Sequence, residues 1–213
     1  MRQLTAVLSK LDASPAGDAP ALELGEVKRQ RRVTSSTLDD LFVLWIQAAT
    51  AIFEEQTDRQ IMDALFEYAL DGTPSSVHTE IELPKPPLRS VESITYLDSD
   101  EEEQTWATSN YDVVIPSGIY GQPGRVVLRT GCAWPTVANR SRALRITYRA
   151  GYAESSTDVP AIIKACLLFL VGHFHKYGEE VQDTALHTLP LGAETMMRAF
   201  RYSAKSSTVL WQD

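Results

Sequence analysis

Residues 159–178, VPAIIKACLLFLVGHFHKYG, are apolar around nearly the whole circumference of a helix. The proline suits a first helical turn, Asp158 before it can cap that turn, and Gly178 can end the helix. A helix of about five turns with this pattern is typical of a protein interior. Other apolar helices of the chain are therefore expected to cover it.

Two histidines near the end of this stretch, His173 and His175, resemble metal ligands, with Glu179 close behind. Residues two apart diverge by roughly 200° on a helix, so the two imidazoles face different sides. His175 and Glu179 can share a face, but they supply two ligands where a zinc site needs at least three. The pattern is interpreted as the solvated end of a helix, and no metal site is predicted.

Three further stretches have helical patterns. Residues 35–58, SSTLDDLFVLWIQAATAIFEEQTD, predict a helix of about 19 residues that starts after a Ser/Thr cap. A short helix with a basic cluster is predicted before it, in LELGEVKRQRRV (22–33), and another near the C-terminus, in LGAETMMRAFRYS (191–203). The apolar stripe of the long helix is predicted to contain Leu41, Leu44, Trp45, Ala48, Ile52 and Phe53.

The middle of the chain has a different pattern, because proline and glycine recur there and apolar residues alternate with polar ones. Such short runs between turn signals predict an antiparallel sheet or a small barrel. The five runs are SVHTEIELP (76–84), SITYLD (93–98), YDVVIP (111–116), RVVLRT (125–130) and ALRITYRAG (143–151). Residues 60–72, QIMDALFEYALDG, fit either a helix or a strand that alternates through Met62, Ala64, Phe66, Tyr68 and Leu70.

The order of these elements predicts an α+β protein: a small α-helical bundle core with an inserted antiparallel β-rich domain. The expected organisation is a flexible N-terminal segment (1–20), N-terminal helices of the core (21–59), the β-rich insertion (60–151), C-terminal helices of the core (152–202) and a C-terminal tail (203–213).

The composition argues against several classes of function. At 213 residues, with 44% hydrophobic and 23% charged residues, the chain has the profile of a soluble globular protein. No apolar run reaches the roughly 20 residues of a membrane span, and the N-terminus lacks the apolar core of a signal peptide. The net charge of −8 argues against a protein that grips nucleic acid through a basic surface. Cys132 and Cys166 lie in different contexts, which favours a reduced, cytoplasmic origin over a disulfide.

No familiar arrangement of catalytic residues is found. The sequence has no serine–histidine–aspartate signature, no phosphate-binding glycine loop and no cysteine pattern for a metal. Neither a catalytic site nor a cofactor is therefore predicted, and an enzyme is not the favoured class. The acidic run DSDEEE (98–103) lacks the glycine turn of a calcium loop and is interpreted as a solvated hairpin tip.

Four arginines lie on the predicted strands, in two pairs with a spacing of four: Arg125 with Arg129, and Arg145 with Arg149. This spacing puts the members of each pair on one face of a strand. They are predicted either to pair with acidic neighbours of the same subunit or to contact a partner or another subunit.

Taken in order, these stretches resemble the head–tail adaptor family of long-tailed bacteriophages, also called head–tail connector or head-completion proteins, which has relatives in gene transfer agents. The resemblance covers about residues 21–202. Its most specific parts are ELPKPPL (82–88) before a strand, VPAIIKA (159–165) at the start of an apolar helix, and the closing LPLG (189–192).

The resemblance implies a structural protein of the virion neck, made in the host cytoplasm, rather than a catalyst. Members of the family form a ring, usually of twelve copies, that docks on the portal protein and extends the DNA channel. The ring offers a platform to stopper or tail-completion proteins, and double-stranded DNA passes through it without specific binding. Another virion connector, such as a stopper or a tail terminator, is the first alternative, and a small soluble enzyme is the second.

The C-terminal tail joins a polar tether to a small apolar cluster, Val209, Leu210 and Trp211. Tryptophan often dominates the energetics of interfaces. In relatives the C-terminal segment reaches onto the portal, so the resemblance implies portal binding for these three residues. A terminus without a fixed partner is the alternative.

Overall fold

Helices from both ends of the chain form one layer of the structure, a computed structural model that describes residues 4–12, 19–74, 78–177, 191–202 and 208–209. They are α1 (Leu24–Arg31), α2 (Asp39–Thr57), α3 (Ala161–Tyr177) and α4 (Leu191–Phe200). All four contribute to one hydrophobic core, in which Phe42, Phe53, Leu167 and Phe200 are completely buried. The predicted helical core, built from both ends of the chain, is confirmed.

The long helix α2 turns a different stripe inward from the one predicted. Its buried residues are Phe42, Ile46, Ala49, Phe53 and Thr57. Of the predicted stripe only Phe53 is fully buried, whereas Leu41 is 41% exposed and Leu44 is 56% exposed. The helix is apolar on two stripes, and periodicity alone does not decide which of them meets the core.

The apolar helix α3 ends at Tyr177, next to the predicted stop at Gly178. Its inner stripe includes Ile163, Leu167 and Leu170, which are completely buried. The prediction of an interior helix is only partly right, because Phe169 on the other side of α3 is 48% exposed.

In the described part of the chain, nine strands form two antiparallel sheets. The strands are β1 (Leu4–Asp12), β2 (Ala64–Leu70), β3 (Glu80–Glu82), β4 (Leu88–Leu97), β5 (Glu103–Thr105), β6 (Tyr111–Val114), β7 (Arg125–Leu128), β8 (Leu144–Ala150) and β9 (Thr208–Val209). The large sheet has the order β5-β4-β8-β2-β1-β9 and the small sheet has the order β3-β7-β6. Both sheets are open, so the structure realises the sheet alternative rather than the barrel. The predicted α+β class is confirmed.

Strand β2 settles the ambiguity of residues 60–72. It pairs with β8 in a regular register in which Phe66 lies opposite Tyr148. The two aromatic rings stack with centroids 5.7 Å apart and belong to a second hydrophobic core between the sheets. A strand is favoured over a helix here because every second side chain of β2 packs beside a buried side chain of β8 on the same face of the sheet.

The prediction of a flexible segment over residues 1–20 is wrong for Leu4–Asp12. These residues form β1, which pairs antiparallel with β2 from Ala6, opposite Leu70, onward. Ala6 is buried, whereas Val7 is 40% exposed and Leu11 is 49% exposed. Ala6 belongs to the second hydrophobic core and Leu8 packs against it, so β1 is held by side-chain contacts as well as by its backbone hydrogen bonds to β2.

The acidic run forms the turn between β4 and β5, as predicted for a solvated hairpin tip. A carboxylate oxygen of Asp98 accepts hydrogen bonds from the backbone N–H groups of Asp100 and Glu102, each 3.0 Å long. The side-chain amide of Gln104 also donates a hydrogen bond to Asp98. This bond is the largest cause that lowers the pKa of the Asp98 carboxyl, and the two backbone bonds lower it further. The carboxylate is therefore used to shape the turn.

Candidate assembly surface

The start of the C-terminal tail is held by a buried cation. Arg59 is only 3% exposed and follows α2 closely. Its guanidinium donates hydrogen bonds to the carbonyl oxygen of Phe200 at 2.5 Å, to the hydroxyl of Tyr152 at 3.0 Å and to the carbonyl oxygen of Gly121 at 3.0 Å. Since Phe200 ends α4, its carbonyl lies at the negative end of the helix dipole and suits a buried positive charge.

Tyr202 fixes the next turn of the chain from two other directions. Its backbone N–H donates to the carbonyl oxygen of Thr57 at 2.9 Å, at the end of α2. Its hydroxyl donates to the Glu82 carboxylate at 3.2 Å. Burial, followed by the nearby negative charge of Glu82, raises the pKa of Tyr202 to about 12. The segment from Phe200 to Tyr202 is therefore held in place by contacts with α2, β3 and Arg59.

Sequence reasoning did not find Arg59 or Tyr202. The one available signal is the position of Arg59, a charged residue between a long helix and an apolar run. That signal does not reveal its acceptors, which lie up to 141 positions away in the chain.

The three residues predicted to bind the portal are only partly within the described part of the chain. Val209 lies in β9, where it pairs with Leu4 of β1, and Thr208 pairs with Thr5. The ladder between these two strands therefore joins the two ends of the chain. Leu210 and Trp211 lie outside the described residues.

Arg149 belongs to a junction between the sheet and the helices. Its guanidinium donates to the Asp63 carboxylate at 2.5 Å and 3.0 Å, and Asp63 is only 2% exposed. Arg89 lies 3.5 Å from the same carboxylate and also pairs with Glu154. The hydrogen bond to Asp63 raises the pKa of Arg149. The two arginines thus offset the free-energy cost of burying the Asp63 carboxylate.

Gly151 allows the chain to pass close to Asp63 at this junction. Its φ of +145° lies in a region that L side chains rarely adopt, and a Cβ atom there would lie 2.7 Å from the backbone of Asp63. The N–H of Asp63 donates to the carbonyl oxygen of Ala153 at 2.7 Å, which ties the two segments together. The junction is therefore built from backbone contact as well as charge.

The other three predicted arginines also have carboxylate partners in the same subunit. Arg125 pairs with Glu80 at 2.9 Å, Arg129 pairs with Asp112 at 2.7 Å, and Arg145 pairs with Glu103 at 3.3 Å. All three pairs are partly exposed. The structure therefore brings together each arginine and an internal partner, and contact with another subunit stays a prediction for all four.

The two histidines of α3 have different surroundings. His175 stacks on Phe42 with ring centroids 5.3 Å apart, and Arg31 lies 3.3 Å from its Nδ1 atom. The ring of His173 lies beside Phe174 instead. No group of three or more His, Cys, Asp or Glu side chains within the described ranges has an arrangement that could hold a metal ion. Glu179 falls outside those ranges.

A groove of about 640 Å³ lies between α2, β1 and residues 19–24. Its titratable lining residues include Glu54, which accepts a hydrogen bond from the N–H of Ile61 at 2.9 Å, and burial raises the pKa of Glu54. Asp63, at another part of the lining, is occupied by Arg149. Both carboxylates thus bind neighbouring groups of the protein itself. Among the described lining residues, no acid, base and nucleophile are grouped as catalysis would require.

Cys132 and Cys166 are free thiols. Cys166 is completely buried in α3, and this burial raises its pKa to about 11. The thiol is therefore protonated at neutral pH, which is the opposite of an activated nucleophile.

Within the described ranges, none of the helices combines the length and the apolar character that crossing a membrane requires.

The protein resembles solved structures, although no sequence comparison finds a match. No protein-family model matches the chain, and no curated protein matches it. Among solved structures, a chain of the "Virion of native gene transfer agent (GTA) particle" superposes with a TM-score of 0.71 at 18% identity, over 93% of this chain and 96% of that one. A chain of the "Neck of empty GTA particle computed with C6 symmetry" gives 0.73 at 19%, with the same coverage.

A chain of the "Neck of native GTA particle computed with C12 symmetry" gives a TM-score of 0.69 at 17% identity, again over 93% of this chain and 96% of the other. Nearly all of both chains is aligned, so the similarity includes the helical core and both sheets together. The fold of this protein is the fold of a chain found in the neck of gene transfer agent particles.

Proposed function

We propose that this protein is a head–tail adaptor: a structural virion protein that forms a ring on the portal, extends the DNA channel and carries the stopper or tail-completion proteins. The single observation that carries the proposal is the shared fold with neck chains over 93% of its length. Its place would be the neck of the particle, after synthesis in the host cytoplasm.

The geometry supports a building block rather than a catalyst. Charged residues with buried environments, such as Asp63 and Arg59, are used in internal contacts, while apolar side chains of α2 and α3 face outward. Exposed apolar helix surface is typical of proteins that contact other proteins. The symmetries used for the similar necks, C6 and C12, are consistent with a ring of about twelve copies.

The tail is proposed as the portal-binding element, through Val209, Leu210 and Trp211. The firmly held residues Phe200 and Tyr202 give it a defined origin. In this proposal the short pairing of Val209 with Leu4 is exchanged for contacts with the portal. Two paired residues are a small barrier to such an exchange.

The proposed contact with DNA is passage without specific binding. A net charge of −8 per copy gives the ring an overall negative charge, and a channel of like charge repels DNA instead of retaining it. A strongly basic channel surface in the assembled ring would contradict this part of the proposal.

A binding assay with purified portal rings tests the proposal. The full chain is expected to co-sediment with the portal at a fixed ratio, and a variant without residues 203–213 is expected to lose most of this binding. Trp211→Ala is expected to reduce it, because an indole anchor fills a pocket that alanine leaves empty. If the truncated chain binds equally well, the tail is not the anchor. If the full chain does not bind, the adaptor function itself is wrong.

A stopper or a tail terminator is the alternative, because these proteins also belong to the neck of a particle. The direct neighbour separates the two functions: an adaptor contacts the portal itself, whereas a stopper or terminator requires another ring in between. Binding only to portal rings that already carry another neck protein would favour the alternative.

A further inference from the structure

We propose that neighbouring copies in the ring meet through the outer face of α2 on one copy and the outer face of α3 on the next. This inference rests on the proposed function, because it assigns the contact that closes the adaptor ring. The outer α2 face consists of Leu41, Leu44, Trp45, Ala48 and Ile52, and the outer α3 face consists of Ala165, Phe169, Gly172 and Lys176.

The outer α2 face is an apolar stripe beside the buried one. Trp45 and Ile52 pack against the helical core at its edge, while Leu41 and Leu44 face outward. The members of this face recur at spacings of three and four residues, which places them in one row along the helix. Leu44 is 56% exposed and Leu41 is 41% exposed, so both side chains retain much of their contact with water. A helix that is apolar on two sides needs a partner for each side.

Trp45 gives this face a rigid anchor. Its indole contacts the ring of Phe42 edge to face at 5.4 Å and the ring of His175 at 5.9 Å. These contacts hold the ring from one side, while the side chain is only partly buried. A tryptophan that is already ordered loses little conformational entropy on binding, which favours it as an interface residue.

The outer α3 face presents one large side chain between small ones. Phe169 is 48% exposed, and the neighbouring positions one turn away on the same side are Ala165 and Gly172. Phe169 is therefore the largest exposed side chain of this face, and in the proposed contact it packs between Leu41 and Leu44 of another copy. At Gly172 the guanidinium of Arg31 lies so close that a Cβ atom would be 3.2 Å from it.

The two faces lie on different helices and share no residue. α2 and α3 pack together through their inner stripes, which meet in one core that contains Phe42, Phe53, Ile163 and Leu167. The outer faces are therefore two different surfaces of the subunit. Two different surfaces on one subunit make a head-to-tail contact, which is the kind that closes into a ring, whereas one self-complementary surface makes a dimer.

Charge is complementary between the faces. α2 contains four acidic residues and no basic residue, and two of them, Asp40 and Glu55, are exposed. α3 contains two lysines and no acidic residue, and Lys176 is exposed at its C-terminal end. Arg31 adds a positive charge beside Gly172. Opposite charges around apolar centres favour contact between unlike faces and oppose contact between two α2 faces.

A mixing experiment with two full-length variants tests this contact. Leu44→Asp disables the outer α2 face, and Phe169→Asp disables the outer α3 face. For each variant alone, the amount of subunit that assembles on portal rings is expected to fall at least about tenfold, because the contact would bury an unpaired charge. A mixture without portal is expected to give dimers, since one intact α2 face and one intact α3 face remain to form a single contact.

The matched control for the first variant is Gln47→Asp, which adds the same charge to an exposed position of α2 outside the outer face. It is expected to assemble like the natural protein. Circular dichroism and thermal unfolding check that all three variants are folded. If Leu44→Asp and Phe169→Asp still assemble into rings, the proposed contact is wrong.

Cross-linking decides between this contact and its alternatives. In a background with Cys132→Ser and Cys166→Ala, the pair Leu44→Cys and Phe169→Cys is expected to form a ladder of linked subunits when portal-bound rings are oxidised. Dimers from Leu44→Cys alone would show a self-complementary contact and overturn the inference. Rings without any cross-link would overturn the contact but keep the adaptor function, and the failure of the natural protein to form rings would overturn both.

Discussion

The helical core and the β region of this protein are held together in different ways. The helical core joins residues far apart in the chain, such as Val27, Phe42 and Phe200, and does so mainly by apolar burial. The β region adds many exposed ion pairs between strands and loops, such as Arg125 with Glu80 and Arg145 with Glu103. The helical core therefore depends mainly on apolar burial, while the β region adds surface ion pairs to a hydrophobic core of its own.

The largest expected effect comes from breaking the helical core at its centre. Phe53→Ala removes a completely buried ring that contacts Phe200 at 5.5 Å, between centroids. We expect the free energy of unfolding to fall by about 3–5 kcal/mol, because the loss of burial is followed by a cavity. Denaturant unfolding monitored by circular dichroism measures this.

The control for that change is Phe169→Ala, an aromatic residue of α3 that is 48% exposed. It is expected to change the free energy of unfolding by about 0.5 kcal/mol or less. Equal losses for the two variants would mean that the core does not depend on the contact between the two ends of the chain.

The second-largest loss of stability is expected at the junction between the helical core and the β region, around Asp63. Asp63→Asn removes the buried charge that receives Arg149 and Arg89. The expected loss is about 2 kcal/mol, as for hydrogen bonds with charged partners. Hydrogen exchange should report faster opening around residues 149–153. Glu154→Gln, on the exposed side of the same cluster, serves as the control, and an effect as large as that of Asp63→Asn would contradict the assignment.

A smaller effect is expected at the start of the tail. Tyr202→Phe removes the hydrogen bond to Glu82, with an expected cost of about 1 kcal/mol at neutral pH. The pKa of Tyr202 is raised from 10.0 to about 12 in the folded protein, so the unfolded chain loses this proton first. The stabilisation is present below pH 10 and is lost as the pH rises toward about 12.

Thermal unfolding over this pH range checks the prediction. The difference in stability between the natural protein and Tyr202→Phe should narrow as the pH rises from neutral to above 10. A constant difference would show that the pKa of Tyr202 is not raised in the folded protein.

The smallest effect is expected on the surface of the sheet. Arg145→Ala removes an exposed partner of Glu103, and the free energy of unfolding should change by about 0.5 kcal/mol or less. Chemical denaturation with and without added salt measures this change. If the free energy of unfolding fell as much as for Asp63→Asn, exposed ion pairs would stabilise the fold as strongly as the buried junction does, contrary to this account.

The parts of the fold that were predictable from sequence have patterns visible within a single element. The stretch from Ala161 to Tyr177 is apolar on most sides, so its role in the core followed from its own residues. The strands β4, β7 and β8 alternate, and their pairing follows once they are placed in one sheet. The hairpin tip at Asp98 was predictable because its acidic residues have no apolar neighbours to bury.

The parts that were not predictable depend on contacts between distant residues. Leu41 and Leu44 look like core residues in sequence, yet the partner helices cover Phe42 and Ile46 instead. Strand β1 takes its place by pairing with β2, a partner that residues 4–12 do not identify by themselves. Among the four arginines, only Arg149 has a buried partner, and that partner lies 86 positions away in the sequence.

Electron cryomicroscopy of the purified full chain bound to portal rings tests the central claim most directly, namely that the helices from both ends form one core that serves as a ring subunit in the neck. The expected map shows one closed ring on the portal, with α2 and α3 of adjacent copies side by side around the channel. Subunits that stay unbound, or bind only to another neck protein, would contradict the claim.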